Sequence, residues 1–266
     1  MTIPEMPAGT EFRMGPIFGR AWSVYAANFL KFTLVGIIIS LPNLFSGDYQ
    51  SVEGGARTGL AAIVGLVFYF VGQAVILYGA FQALLGRPVS LGEATRRGLA
   101  RFWAIIGITL LFLLAIIVGI VIVSFGAWLA APIGVLLAIV FIVLLAMLMI
   151  RWSVAVPACV VENLGPLMSV RRSADLTKGH RWQIVGIFVA IFIVILLASL
   201  IVLAIVVPIA AVTGGGAGGG LIGGLLSLIV TAIYTAYLTI IDVMIYHDLR
   251  VAKEGIDTNQ IASVFD

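Results

Sequence analysis

Side chains able to perform acid–base or nucleophilic chemistry are scarce in this sequence. Only 10% of its 266 residues are charged, whereas 62% are hydrophobic. The two histidines, His180 and His247, are too few for a histidine-rich metal centre, and the single Cys159 excludes an intramolecular disulfide. Asp242, His247 and Asp248 lie close together, but one histidine with two carboxylates is typical of a solvated helix end. We therefore expect no metal site.

Catalytic motifs are also missing from the chain. The sequence has no phosphate-binding Walker loop, no HExxH pair and no GxSxG nucleophile turn. Its formal charge of +3 is too small an excess to indicate nucleic-acid binding. These absences predict a protein that is not an enzyme, has no cofactor and does not bind nucleic acid.

Three polar residues interrupt the apolar segments at comparable positions. Pro88 and Pro166 are 78 residues apart, and the same offset aligns Arg151 with Gln73. Asp242 ends the longest uncharged stretch of the sequence. One hypothesis is an intramembrane cluster in which Arg151 pairs with Asp242 beside Gln73, because a charge in lipid costs at least about 2.5 kcal/mol. The favoured alternative is that both charges reach the membrane surface from their helix ends.

A regular glycine pattern predicts close helix packing. Gly65, Gly72 and Gly79 are seven residues apart, so they return to nearly the same face of a helix. Small residues let helix backbones approach closely in a bilayer. We expect this seam to pack within the bundle, and a homodimer contact is the less favoured alternative.

Long uncharged stretches define the elements that must position these residues. No Asp, Glu, Lys or Arg occurs in three gaps of 29, 49 and 60 residues, whereas about 20 apolar residues span a bilayer. The two longer gaps therefore each hold two spans, divided near residues 126–132 and at the glycine-rich connector 213–220. The fold class is all-α, a polytopic bundle with six predicted spans at about 28–45, 58–85, 102–125, 131–156, 182–212 and 221–246.

The basic residues predict the orientation of the bundle. With six spans, 14 of the 15 Lys and Arg residues fall on one side, and Arg57 is the exception. The positive-inside rule assigns that side to the cytoplasm. We therefore expect both termini to lie in the cytoplasm. Four tryptophans near the same face are typical of an interfacial belt, namely Trp22, Trp103, Trp152 and Trp182.

A threefold internal repeat is the simplest account of the single domain 1–266. Its units are about 14–86, 88–163 and 166–250, followed by a short cytoplasmic tail, 251–266. Each unit has an amphipathic helix, a junction of a basic and an aromatic residue (Lys31, Arg101 or Arg181) and a transmembrane hairpin.

The amphipathic helices have two interpretations. They either lie on the inner leaflet, with their cations among anionic lipid headgroups, or pack as elbows against the protein's own spans. Ser90 and Glu93 form a predicted capping box at the start of the second helix. The predicted headgroup contacts are Arg20, Lys31, Arg96, Arg97, Arg101, Arg171, Arg172, Lys178 and Arg181.

Two segments of the sequence resemble a known family. The first is RWSVAVPACVVENLGP from Arg151, continuing as SVRRSADLTKGHRW from Ser169, and the second is YHDLRVAKEG from Tyr246. Together they resemble the membrane domain of glycerophosphoryl diester phosphodiesterase and YciC-like bacterial proteins. The resemblance implies a six-span inner-membrane bundle. Only residues 248–266 follow the last predicted span, too few for a catalytic barrel, so the resemblance implies no catalytic residues for this chain.

These observations favour a non-enzymatic scaffold or accessory subunit of a membrane complex or of envelope homeostasis. Its expected partners are membrane lipids and a membrane protein. The alternative is a transporter or lipid-handling protein with a site between the repeats. A cavity reaching Gln73, Arg151 and Asp242 would favour that alternative.

Overall fold

The chain folds entirely into helices where its structure is described. The computed structural model describes residues 14–42, 52–212 and 217–255. Within these ranges there are nine α-helices and no strand. The helices are α1 (Met14–Ala27), α2 (Phe29–Ser40), α3 (Val52–Leu84), α4 (Leu91–Leu129), α5 (Ala131–Trp152), α6 (Ala155–Val161), α7 (Pro166–Thr177), α8 (Arg181–Val212) and α9 (Ala217–Glu254).

Five apolar segments of the described chain are long enough to cross a membrane. They are Val64–Leu84, Leu91–Leu129, Ala131–Val161, Arg181–Ile205 and Gly224–Glu254. A sixth span is formed if α1 and α2, which meet at a bend of 91°, count as one. The prediction of an all-helical, multi-pass membrane protein is therefore confirmed, and the number of spans is five or six. Residues 43–45 of the first predicted span lie outside the described residues.

The second predicted amphipathic helix is not a separate element. Residues Leu91 to Leu129 form one continuous helix of 39 residues, about 58 Å long. The first unit bends at Asn28, and the third unit turns at Gly179, where φ is +97°. No such residue interrupts α4, and Gly98 lies within it against Ala74. The expected interfacial helix of the second unit is therefore continuous with the helix that follows it.

The α4–α5 hairpin turns at a single extended residue. Ala130 has φ −164° and ψ 136°, and Pro132 starts the first turn of α5. Glycines let the two helices approach: a Cβ on Gly119 would lie 1.9 Å from the Phe141 ring, and one on Gly134 would lie 2.5 Å from Ala127. The predicted division near residues 126–132 is confirmed.

A proline breaks the helix that follows. Pro157 has no N–H and its ring conflicts with the carbonyl four residues earlier, so the α5 ladder ends at Trp152 and α6 begins at Ala155. All but one of the seven residues of α6 are buried. This short buried helix packs against α7 and the first part of α4.

The packed core lies towards one end of the bundle. Buried residues come from α1, α2, the second half of α3, the start of α4, α6, α7, the start of α8 and the second half of α9. We name this the basic end, because Arg20, Lys31, Arg101 and Arg172 are bonded there to neighbouring elements. In contrast, only 6% of the most apolar 18-residue stretch of α5 is buried within the protein, and the same is true of α8.

The last predicted connection is shorter than expected. Helix α9 starts at Ala217, so half of the predicted connector 213–220 is helical, and residues 213–216 lie outside the described residues. Helix α9 also extends to Glu254, which places the first residues of the predicted tail in the helix. Residues 256–266 of that tail lie outside the described residues.

Candidate functional site at the basic end

An ion-pair network joins α7 to α9 and to the residue that follows α6. Arg172 Nε donates to both carboxylate oxygens of Glu162 at 2.9 Å, and its Nη2 donates to Glu254. Tyr246 donates its hydroxyl to Glu162 at 2.7 Å, and Arg250 Nε donates to Glu254 at 2.9 Å. We call these five residues the Arg172 network. It fixes α7 on the end of the last span.

The charges of the Arg172 network compensate each other. Burial of the Arg172 guanidinium lowers its pKa, but the hydrogen bonds and negative charges of Glu254 and Glu162 raise it, and the net pKa lies above its usual value. Each carboxylate of the network has an arginine partner. The arrangement therefore holds helices together.

Ser173 repairs the backbone where α5 breaks. Its hydroxyl donates to the Arg151 carbonyl at 2.9 Å and accepts from the Val154 N–H at 3.2 Å. Both groups lost their helical partners at the break before Pro157, and a buried backbone group without a partner is costly. One side chain of α7 thus satisfies both sides of the α5–α6 joint.

A second ion pair joins the first helix to the last. Arg20 of α1 donates to Asp248 of α9, with side-chain exposures of only 11% and 2%. His247 Nδ1 lies 3.2 Å from the other Asp248 oxygen. Tyr237 also donates to the Phe18 carbonyl at 3.1 Å. These contacts make α1 an elbow packed against the spans along one of its faces.

Glu93 is the centre of a third polar cluster, which lies at the junction of α3 and α4. It accepts from the Tyr78 hydroxyl at 2.7 Å and from Gln82 Nε2 at 3.0 Å, and Arg97 lies 3.9 Å away. Ser90 caps α4 by accepting from the Glu93 N–H at 3.5 Å, as predicted. The second half of the predicted capping box is wrong, because the Ser90 N–H donates to Gln82 at 3.1 Å instead of to Glu93.

Lys31 and Arg101, two of the basic residues at the predicted junctions, each donate to the loop that follows the hairpin they begin. Lys31 Nζ donates to the Val89 carbonyl at 2.8 Å, in the loop before α4. Arg101 donates to the carbonyl of Asn163 at 3.2 Å and also to its side chain, in the loop before α7. Asn163 has a positive φ of 61°, which asparagine tolerates. Each cation therefore ties one unit to the next.

The structure does not join the three predicted intramembrane residues. No ion pair connects Arg151 to Asp242 in the structure, and Gln73 bonds to neither. Asp242 of α9 is half-buried and lies within electrostatic reach of Tyr69, one turn before Gln73 on α3. Arg151 is exposed on α5. The two residues stand on helices with different main neighbours, because α5 packs mainly on α4 whereas α9 packs mainly on α2 and α1.

The glycine seam faces α2. A Cβ on Gly72 would lie 2.1 Å from Ile39, and one on Gly79 would lie 3.2 Å from Phe32. Gly65 faces Pro42 at 3.5 Å. Phe32 and Ile39 are themselves seven residues apart, so the large residues of α2 occupy the spaces left by the small residues of α3.

The nine predicted headgroup cations fall into two groups. In the first group, Arg20 and Arg172 have guanidinium groups bonded to carboxylates of the protein. Lys31, Arg97 and Arg101 also have intramolecular partners. The remaining four are exposed and have no hydrogen-bond or ion-pair partner for their side chains within the described ranges, namely Arg96, Arg171, Lys178 and Arg181.

The described chain contains no metal-binding group of side chains. Within residues 14–42, 52–212 and 217–255, no three His, Cys, Asp or Glu side chains are grouped to hold a metal ion. Cys159 is buried, and its thiol lies 3.4 Å from the Leu164 carbonyl. The polar contacts described at the basic end are ion pairs and hydrogen bonds from side chains to each other and to backbone groups.

Sequence reasoning missed Ser173 and Gly36. A Cβ on Gly36 would lie 2.4 Å from the Ala232 backbone oxygen, so this glycine sets the approach of α2 to α9. A lone glycine in an apolar run has no periodic signal. Ser173 did have a signal, because a buried hydroxyl inside a helix beside the arginines of α7 needs a partner.

The arrangement defines a multi-pass, all-helical membrane protein whose charged residues mainly join helices. The family described as the membrane domain of glycerophosphoryl diester phosphodiesterase matches residues 125–264, just over half of the chain. The chain belongs to this family. The match includes every residue of the Arg172 network, and it concerns the membrane domain. Comparison with curated proteins and with solved structures gave no match.

Proposed function

We propose that this chain is a non-catalytic scaffold or accessory subunit in a bacterial inner membrane, with its basic end and both termini in the cytoplasm. The observation that supports this role is the division of the bundle into a packed part and peripheral spans. The polar networks hold the packed part together at the basic end. The described polar residues outside those networks form no metal-binding group.

The peripheral spans are the proposed partner-binding part. Leu136 and Ile142 on α5, and Phe192 and Leu197 on α8, are each at least 55% exposed. In a bilayer the hydrophobic effect does not drive helices together, because lipid tails are as apolar as the side chains. Helix association there depends instead on van der Waals packing between helices. Spans that gain so little packing from their own chain are suited to packing against another membrane protein.

The two ends of the bundle support the proposed orientation. The exposed Trp103 and Trp182 lie at the basic end, and Trp128 with Phe125 lies at the α4–α5 turn. Aromatic residues at both ends are typical of membrane interfaces, and an excess of Lys and Arg at one end is typical of the cytoplasmic side.

Site-specific photo-crosslinking in native membranes tests the proposed role. A photoreactive residue at Leu136 or Leu197 is expected to give a protein adduct of discrete mass, because both positions face outward. The matched controls are Ile76 and Ile240, which are fully buried and should give none. If Leu136 and Leu197 give only lipid adducts, and the protein purifies in mild detergent as a solitary monomer, the scaffold role is wrong.

The alternative role of a carrier has less support. Its site was expected between the repeats at Gln73, Arg151 and Asp242, and Arg151 lies instead on the outer side of α5. No cavity in the described part of the chain is lined by all three of these residues.

A further inference from the structure

The α4–α5 hairpin carries an apolar groove that none of the networks uses. It has a volume of about 450 Å³ and runs along α4 from Ala115 to Val123 and along α5 from Leu137 to Arg151. Its volume lies in the range of roughly 300–1,000 Å³ that is typical of small-molecule sites. The α5 side is about 21 Å long at the helical rise, against about 15 Å for half of a bilayer core. The groove therefore matches an acyl chain in length.

Two arginines form the polar end of this groove. Arg151 and Arg181 both line it, and the rest of its lining is apolar or glycine. Neither guanidinium has a carboxylate or carbonyl partner among the residues that the structure describes. The backbone of Arg151 is fixed, since its carbonyl accepts from Ser173. The groove is thus lined by two positive charges and by no Asp or Glu.

The position of Arg181 explains why it lacks a protein partner. Lys31 and Arg101, which stand at the equivalent junctions, bond to carbonyls in the loops before α4 and α7. Arg181 begins the third hairpin, and the described chain brings no loop carbonyl to it. Like Arg151, it lines the groove.

We propose that this groove is a binding site for an anionic phospholipid, with an acyl chain between α4 and α5 and the phosphate between Arg151 and Arg181. Guanidinium groups bind phosphate oxygens with paired, charge-assisted hydrogen bonds. Basic pockets between spans on the cytoplasmic side suit anionic headgroups. The absence of a carboxylate in the lining favours a net negative headgroup over a zwitterionic one. The proposal holds whether or not the chain is a scaffold.

Native mass spectrometry of the purified, delipidated full chain tests the site. The protein is titrated with phosphatidylglycerol and, separately, with phosphatidylcholine of the same acyl chains. We expect tighter binding of phosphatidylglycerol, and we expect the double substitution Arg151→Gln and Arg181→Gln to weaken it about thirtyfold, the loss of two cations near a headgroup. Excess inorganic phosphate should not displace the lipid, because the acyl chain contributes to binding.

Matched variants separate this site from general surface charge. Arg96→Gln with Arg171→Gln removes two exposed arginines that lie outside the groove, and should leave binding unchanged. Leu144→Trp fills the groove and should weaken both lipids, whereas Leu136→Trp, outside the groove on the same helix, should not. Equal losses in the two arginine pairs, equal binding of the two lipids, or a tightly bound polypeptide in place of lipid would each overturn the proposal.

Discussion

Arg172 and Glu162 form a two-contact ion pair in which one nitrogen, Nε, serves both carboxylate oxygens at 2.9 Å. The pair connects the amphipathic helix α7 to the residue that ends α6, ten positions earlier. Because Arg172 also reaches Glu254, this single side chain holds three elements of the basic end.

Arg172→Gln is expected to destabilise the protein strongly. It leaves Glu162 and Glu254 half-buried and close together without their shared cation, and breaking such a pair costs about 3 kcal/mol. The free energy of unfolding in mild detergent would show the loss. Arg171→Gln is the matched control, because Arg171 is next to Arg172 in the sequence but its side chain is exposed and has no partner among the described residues. This control should change the free energy of unfolding by less than about 0.5 kcal/mol. Equal effects of the two changes would contradict the role of the network.

Ser173→Ala should destabilise the joint between α5 and α6. The change removes the partner of the Val154 N–H and of the Arg151 carbonyl, and buried groups left unsatisfied cost about 1–3 kcal/mol. Faster hydrogen exchange at Val154 would localise the effect. The control is Ser40→Ala, because Ser40 is also buried but bonds only to a carbonyl of its own helix. Unchanged exchange at Val154 would show that Ser173 does not cap the break.

Gly36→Ala is expected to push α2 away from α9. The new methyl would lie 2.4 Å from the Ala232 oxygen, a backbone atom that cannot rotate away, and overpacking of this kind costs about 1–3 kcal/mol. A lower melting temperature in detergent is the expected result. Gly19→Ala, with nothing within 4 Å of its Cβ, should be neutral or stabilising by up to about 1 kcal/mol. A neutral Gly36→Ala would mean that the two helices do not approach this closely.

Cysteine labelling in intact cells tests the orientation. In a Cys159→Ala background, Arg96→Cys and Arg171→Cys should both resist a membrane-impermeant maleimide applied from outside and both react after permeabilisation. The α4–α5 turn is the reference on the other side, and Trp128→Cys, which is 78% exposed, should react from outside. Labelling of Arg96→Cys and Arg171→Cys from opposite sides would contradict the proposed topology, which places both positions on the same side of the membrane.

Features that depend on neighbouring residues were predictable from the sequence. The apolar lengths gave the helices, Ser90 gave the start of α4, and Pro132 with the surrounding glycines gave the α4–α5 turn. These signals are local, because capping, proline geometry and membrane thickness act over a few turns of one helix.

Features that depend on distant pairs were not predictable. Arg20 and Asp248 are separated by 228 residues, and no pattern in either segment indicates the other. The offset that aligned Gln73 with Arg151 compared positions in the repeats, but it carries no information on which helices touch. The first part of α4 was expected to be a separate helix because of its polar residues, although nothing in its sequence ends a helix there.

The contact of Gly36 with Ala232 joins two segments that are made far apart in time. Roughly 200 residues separate them, which at a synthesis rate of about 5–20 residues per second means a wait of about 10–40 s. During that interval α2 has α3 as a neighbour through Phe32 and Ile39, while its Gly36 face has not yet met α9. The N-terminal helices therefore reach their final packing only after α9 has been synthesised.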